Sequence, residues 1–175
     1  MTTLWHPTHW RFTLRDAAGA EMVSAWRPNL LCAEGAYAML DTFFRNGAAS
    51  TPISFELGLT DSALSVASTA AALTGEPYGG GYVRIPITRD TFGWPTLAIP
   101  SSSTTGTYQL ICATQTFVAG NASIGPFQNA FICAVLNPSP GVTTRALVIA
   151  ASTGWTTTIG AGYQLDVSIA FTSGA

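Results

Sequence analysis

The sequence predicts a mostly β protein, an antiparallel β-sandwich of jelly-roll type with one α-helix near residues 30–45. Three observations lead there. Residues 10–27 alternate apolar and polar with a period of two. The stretch 107–171 holds four runs rich in Thr, Val, Ile, Phe and Tyr, separated by turn clusters. Residues 30–45 alone carry a convincing helical period.

Taken in order, Trp10, Phe12 and Leu14 alternate with Arg11, Thr13 and Arg15, the mark of a strand buried on one face. Asp16-Ala-Ala-Gly19 supplies a turn, and Met22, Ser24 and Trp26 resume the alternation, so a hairpin is expected. Pro28-Asn29 then punctuates the chain, with Asn29 suited to cap a helix. Leu30, Ala33, Tyr37, Leu40 and Phe44 recur at helical spacing and form an apolar stripe. Glu34 and Arg45 match the dipole at the two ends, and Asn46-Gly47 reads as the stop. Gly35 lies inside this helix, where it weakens propensity and lets another backbone approach.

Ile53–Leu59 reads as a strand, 60–75 as a loop of small residues with a turn of helix, and Glu76-Pro77-Tyr78-Gly79-Gly80-Gly81 as a flexible or tightly turned segment. Tyr82–Thr88 reads as a strand in which Pro86 points to a sheet edge or a bulge. Residues 89–105 read as loop with one short extended piece. Strands are then expected at Thr107–Ala119, Phe127–Leu136, Arg145–Ala151 and Tyr163–Phe171, with turns at Gly120-Asn121, 137–141, 152–154 and 160–162. No repeat or linker divides the chain. The expected organisation is an N-terminal arm over residues 1–9 and a single domain over 10–175.

Charge is scarce. Charged residues make up 9% of the 175, all seven basic residues are arginine, and the formal net charge is −2. An average soluble domain carries about 25%. From Thr91 onward only Arg145 and Asp166 are charged. Interface cores are poor in charge and lysine and rich in arginine and aromatic residues, so this profile points to surface hidden in an assembly. Nucleic acid is not expected, because phosphate binding calls for clustered Lys or Arg. No apolar run of about 18 residues predicts a membrane span, and the N-terminus lacks the layout of a signal peptide. Cys32, Cys112 and Cys133 include no CxxC pair and are expected as free thiols in a reducing compartment.

The chemistry-bearing inventory is thin. His6 and His9 lie three apart with no third ligand placed beside them, so no metal is expected. No GxSxG elbow occurs, and the absence of lysine rules out a Walker A loop and Schiff-base chemistry. No spacing singles out a carboxylate pair. Glu56 is expected to face water from its strand, and Glu76 to pair with an arginine such as Arg84. No enzyme and no cofactor are expected. The candidate interface residues are Trp5, His6, His9, Trp10, Trp94 and Trp155. Trp94 and Trp155 sit in loop-like contexts where exposed rings could stack on a glycan.

Three segments carry a family resemblance: Asn29–Phe44 followed by Ile53–Leu59, residues 57–76 (LGLTDSALSVASTAAALTGE) leading into Gly81-Tyr-Val-Arg-Ile-Pro, and the ending IGAGYQLDVSIAFTSGA. In these the chain resembles small bacteriophage virion proteins: capsid decoration or cement proteins, head fibres, and tail or baseplate accessories. The resemblance implies a non-catalytic virion component, assembled in the host bacterial cytoplasm. Its partners would be major capsid or tail proteins. It would be a homo-oligomer, often a trimer. The size suits a compact decoration protein, with a tail or baseplate accessory or a glycan-binding receptor module as alternatives.

Overall fold

A computed structural model describes residues 6–45, 51–98, 108–139 and 142–173. They form two antiparallel sheets with a single α-helix. The sandwich expected from the sequence is present.

The first sheet begins with the predicted hairpin, strands β1 (His6–Arg15) and β2 (Glu21–Arg27). The turn between them is held by Asp16, whose carboxylate accepts from the Ala18 and Ala20 amides, both at 2.9 Å. Strand β1 starts at His6, four residues before the alternation becomes visible in sequence. On its other side β1 pairs with the last strand, β11 (Gln164–Ser173), in a register that sets Trp10 against Ile169 and Leu14 against Leu165. The far edge of β11 is shared by two short strands, β7 (Tyr108–Ile111) and β8 (Gln115–Val118). The run 107–119, expected as one strand, is broken at Cys112–Thr114, although the Cys112 amide still donates to the Ile169 carbonyl at 2.9 Å. Strand β6 (Thr96–Ala98) closes this edge against β7.

The second sheet runs β3 (Leu30–Leu31), β10 (Val142–Ile159), β9 (Ile124–Ser139), β4 (Pro52–Thr60), β5 (Ile85–Thr88). Strand β5 lies at its edge, the place Pro86 demands, because proline has no amide to give a further strand. Strand β10 runs through 152–154, where a turn was expected. The shift in its pairing with β9 between Ser152 and Thr157 absorbs Gly154, whose φ is +84°.

Between the sheets lies the main core. The first sheet contributes Trp10, Phe12, Leu14, Phe117, Leu165, Val167 and Ile169. The second contributes Leu57, Leu59, Ile87, Phe127, Ile132, Ile149 and Ile159. Burying each such side chain stabilises the fold by about 1.5–3 kcal/mol before entropy is counted.

A second, smaller core forms on the other face of the second sheet. Phe131, Cys133, Leu147 and Ala150 point away from the sandwich and are covered by Cys32, Leu64, Ala70 and Leu73. That is why β9 reads FICAVL, an unbroken apolar run: both of its faces are buried. The cover is the loop 61–75 and helix α1 (Ala33–Phe44). The loop's ends are pinned: the Thr60 hydroxyl donates to the Thr74 carbonyl at 2.6 Å, and the Asp61 amide to the Gly75 carbonyl at 2.9 Å.

The helix departs from expectation in two ways. It begins after Cys32 rather than Asn29, because Leu30 and Leu31 are drawn into the sheet beside Ile149 and Ala150. It also packs with its small side. A Cβ on Gly35 would stand 2.5 Å from the Val148 Cα, so the helix backbone rests directly on β10, as the glycine suggested. Ala38 is buried beside it, while Tyr37, Leu40 and Phe44 face outward.

Candidate functional site

The expected interface residues do not gather at one place. Trp5 lies outside the described residues. His6 is in β1, opposite Thr172. His9 is exposed on the outer face of the first sheet. Trp10 is a correction: it is 0% exposed, stacked on Phe12 at 5.8 Å between the sheets, and cannot meet a partner. Its place alternates with Phe12 and Leu14, so the parity of its own strand turns it inward. Trp94 and Trp155 are half-buried anchors packed on the main core. Trp94 bridges the sheets at one end, 5.7 Å from Phe55 and 5.8 Å from Phe171, and Trp155 meets Phe12 edge-on at 6.4 Å. Neither offers the open ring that glycan stacking needs.

What the fold does assemble is a network of charges on the outer face of the second sheet. Register places Glu56 beside Cys133, with Arg145 nearby on β10. Arg84 donates to both Glu76 oxygens, at 3.0 and 2.6 Å, and to Glu56 at 3.0 Å. Arg145 grips Glu56 through two further bonds of 2.6 and 2.8 Å. The Tyr82 hydroxyl donates to Glu76 at 2.9 Å and accepts from the Leu59 amide at 3.0 Å. The Arg84 guanidinium also lies 5.1 Å from the centre of the Phe131 ring. The Glu76–Arg84 pair is the one expected. Glu56 does not simply face water. It holds two arginines, one of them from a strand 89 residues away.

The electrostatics follow. Hydrogen bonds from Arg145, against a partial desolvation, hold the Glu56 carboxyl below its ordinary range. Burial pushes Glu76 upward, but the bonds from Arg84 and Tyr82 outweigh it and leave it low. Burial drives the Tyr82 hydroxyl up. It also pushes the Cys133 thiol up to about 12 and the Cys32 and Cys112 thiols to about 11, so these thiols stay protonated and unreactive at neutral pH. Both carboxylates are already satisfied by guanidinium groups. The arrangement clamps β4, β10 and the segment 76–84 together and leaves no base poised for proton transfer.

Glu34, read in sequence as a helix-dipole residue, has a second task. Its carboxylate accepts from the Ala70 amide at 2.8 Å and the Leu147 amide at 2.7 Å. It therefore ties helix, loop and sheet together. Among the described residues, no three of His, Cys, Asp or Glu come together to hold a metal ion, and no helix is long and apolar enough to cross a membrane.

Glu34 is turned to internal partners and Asp41 pairs with Arg45 one turn on at 3.7 Å, while the large apolar side chains of α1 face outward. Tyr37 is 61% exposed, Leu40 59% and Met39 41%. Large side chains of this kind belong inside a protein or against another one. The stripe Tyr37-Leu40-Phe44 was visible in sequence. What sequence could not show is that Gly35 and Ala38 would take the sheet and leave the large residues outward.

No family model, no curated protein and no solved structure matches this chain.

Proposed function

We propose that this chain is a structural protein of a bacteriophage virion, a capsid decoration or cement protein that stabilises an assembled shell by packing against copies of itself and its neighbours. The observation that carries this reading is the outward apolar face of α1, Tyr37, Met39 and Leu40, on a chain with so little charge. The face sits on a rigid base, since Gly35 rests on the β10 backbone and Glu34 is bonded to two amides. A docking surface built this way needs little ordering on binding. The family resemblance of the sequence supplies the virion setting. A stable contact would bury about 1,200–2,000 Å² in total, more than one helix face offers, so the apolar stripe would form the centre of a wider contact.

The test is the mass of the isolated chain by size-exclusion chromatography with light scattering under reducing conditions, followed by co-sedimentation with capsids. The reading expects a closed oligomer, a trimer among the candidates, or a monomer that pellets with capsids. It expects Leu40→Asp to abolish either behaviour while circular dichroism stays unchanged. A monomer that ignores capsids would overturn it. Pelleting with tails instead would move the protein to a tail or baseplate accessory role.

A further inference from the structure

A different surface lies on the first sheet, away from α1. On the outer face of the first sheet, Trp26 stands on β2 and is 58% exposed. Register places it directly opposite Arg11. The Arg11 guanidinium lies over the indole, 5.8 Å from the ring centre, and the His9 ring meets it edge-on at 6.3 Å and 87°. Arg11 is itself held: its Nε donates to the Ser24 hydroxyl at 3.1 Å, and Ser24 and Thr13 share a hydrogen bond of 3.1 Å. Glu21 lies 3.8 Å from the Arg11 Nη2, and both side chains are 44% exposed. A cation thus sits over one side of the indole, and the residue stays exposed to water.

The surroundings decide what could cover it. Much of this face is polar and paired: Arg15 with Asp166 at 2.8 Å, Asp166 with Thr116 at 2.7 Å, Thr114 with Ser168 at 3.0 Å; Met22 on β2 and Val118 on β8 are exposed apolar residues farther from Trp26. Arg11 is balanced by Glu21 and Arg15 by Asp166, so the face has little net charge and favours a neutral ligand. A protein contact would surround Trp26 with apolar neighbours, as on α1, whereas here hydroxyls and ion pairs surround it. The ligand chemistry that fits is apolar on one flat face and hydroxylated around its rim. A pyranose ring has this form. Its axial C–H groups would stack on the indole face that Arg11 leaves open, and its equatorial hydroxyls would meet the polar groups of the surrounding surface.

We infer that the outer face of the first sheet, centred on Trp26 with Arg11, Glu21 and His9 at its rim, binds a neutral saccharide. This inference does not rest on the assembly reading, because it uses the opposite sheet and none of the residues of α1.

The experiment is a titration of the full chain with cellotetraose and, separately, lactose, reading the indole N–H resonances by NMR. The Trp26 resonance is expected to shift and saturate with at least one sugar, at a dissociation constant on the order of 1 mM, as suits a single stacking platform. For the variants, which lack that resonance, binding is read from the sugar protons by saturation-transfer NMR: Trp26→Ala is expected to weaken it at least about tenfold, a loss of about 1.4 kcal/mol, while Trp26→Phe keeps most of it. The unchanged resonances of Trp10, Trp94 and Trp155 report that each variant is folded. If neither sugar moves the Trp26 resonance, or if Trp26→Ala binds as the parent does, the inference fails. It fails equally if Trp26→Ala changes the oligomeric mass and no sugar binds, since the surface would then be a protein contact. Loss of oligomerisation through Leu40→Asp with sugar binding intact would separate the two surfaces.

Discussion

The two sheets meet water on very different terms. The first sheet is buried on one face only, and among the described residues its outer face is largely hydroxyls and ion pairs around exposed Trp26, with Met22 and Val118 also exposed. The second sheet is buried on both faces, and its outer side holds a second core with an arginine–glutamate network at its margin. Similar strands therefore do different jobs. The first sheet presents side chains to whatever lies outside, and the second supports a layer that carries the helix. The exposed surface of α1 is rigid because what lies beneath it is packed as tightly as a protein interior.

The largest effect that would break this comparison comes from truncating that second core. Phe131→Ala should cost about 3–5 kcal/mol in urea unfolding, as much as a residue between the sheets, because the ring is fully buried and lies against Gly58 and Arg84. Ser24→Ala, on the outer face of the first sheet, should cost less than about 0.5 kcal/mol. Equal losses would mean that the outer layer of the second sheet is not a core.

Arg84→Met comes next, at about 3 kcal/mol near neutral pH, because it strands Glu76 and half of the Glu56 pairing among apolar neighbours. Its sign with pH sharpens the test. Both carboxyls have folded pKa values below their unfolded ones, so their contribution is fully present above the unfolded value of about 4.3. It is lost as pH falls through the folded values. Without Arg84, burial and the nearby Glu56 charge act on Glu76 against the Tyr82 bond alone, so its pKa rises and the variant should suffer less from acid than the parent. Thermal melts between pH 7 and pH 3 should show the two curves converging, and a constant gap would argue against the network.

Gly35→Val should lower stability by about 1–3 kcal/mol, because the added Cβ meets the Val148 backbone rather than a movable side chain. It should also loosen the helix, giving faster hydrogen exchange across Ala33–Phe44. The smallest effect belongs to Arg11→Ala. Its pair with Glu21 is exposed, so unfolding should change by less than about 1 kcal/mol.

The same contrast explains what sequence could reveal. Strands of the first sheet obey strict alternation, so the hairpin of β1 and β2 and the inward set Trp10, Phe12 and Leu14 were legible, as was the edge position of Pro86. The double burial of β9 left an apolar run with a type but no direction. The helix stripe was legible as a stripe, yet its side was decided by Val148, more than a hundred residues onward, where only Gly35 and Ala38 fit. Arg145 and Glu56 likewise find each other only through strand register. Trp26 was readable as an alternating position, but its exposure follows from the second sheet covering just one side of the first.

The position of β11 has a consequence for biogenesis. This strand lies between β1 on one side and β7 with β8 on the other, so a strand made late joins parts of the sheet that are made before it. While the ribosome is still adding 108–160, the β1–β2 hairpin has emerged with one long backbone edge unsatisfied and Trp10 and Phe12 uncovered. Contacts of such wide sequence separation form slowly, and open strand edges invite wrong pairing. A nascent chain of this design is therefore exposed to aggregation until its last strand arrives, and its yield in a cell will respond to chaperone supply more than its final stability suggests.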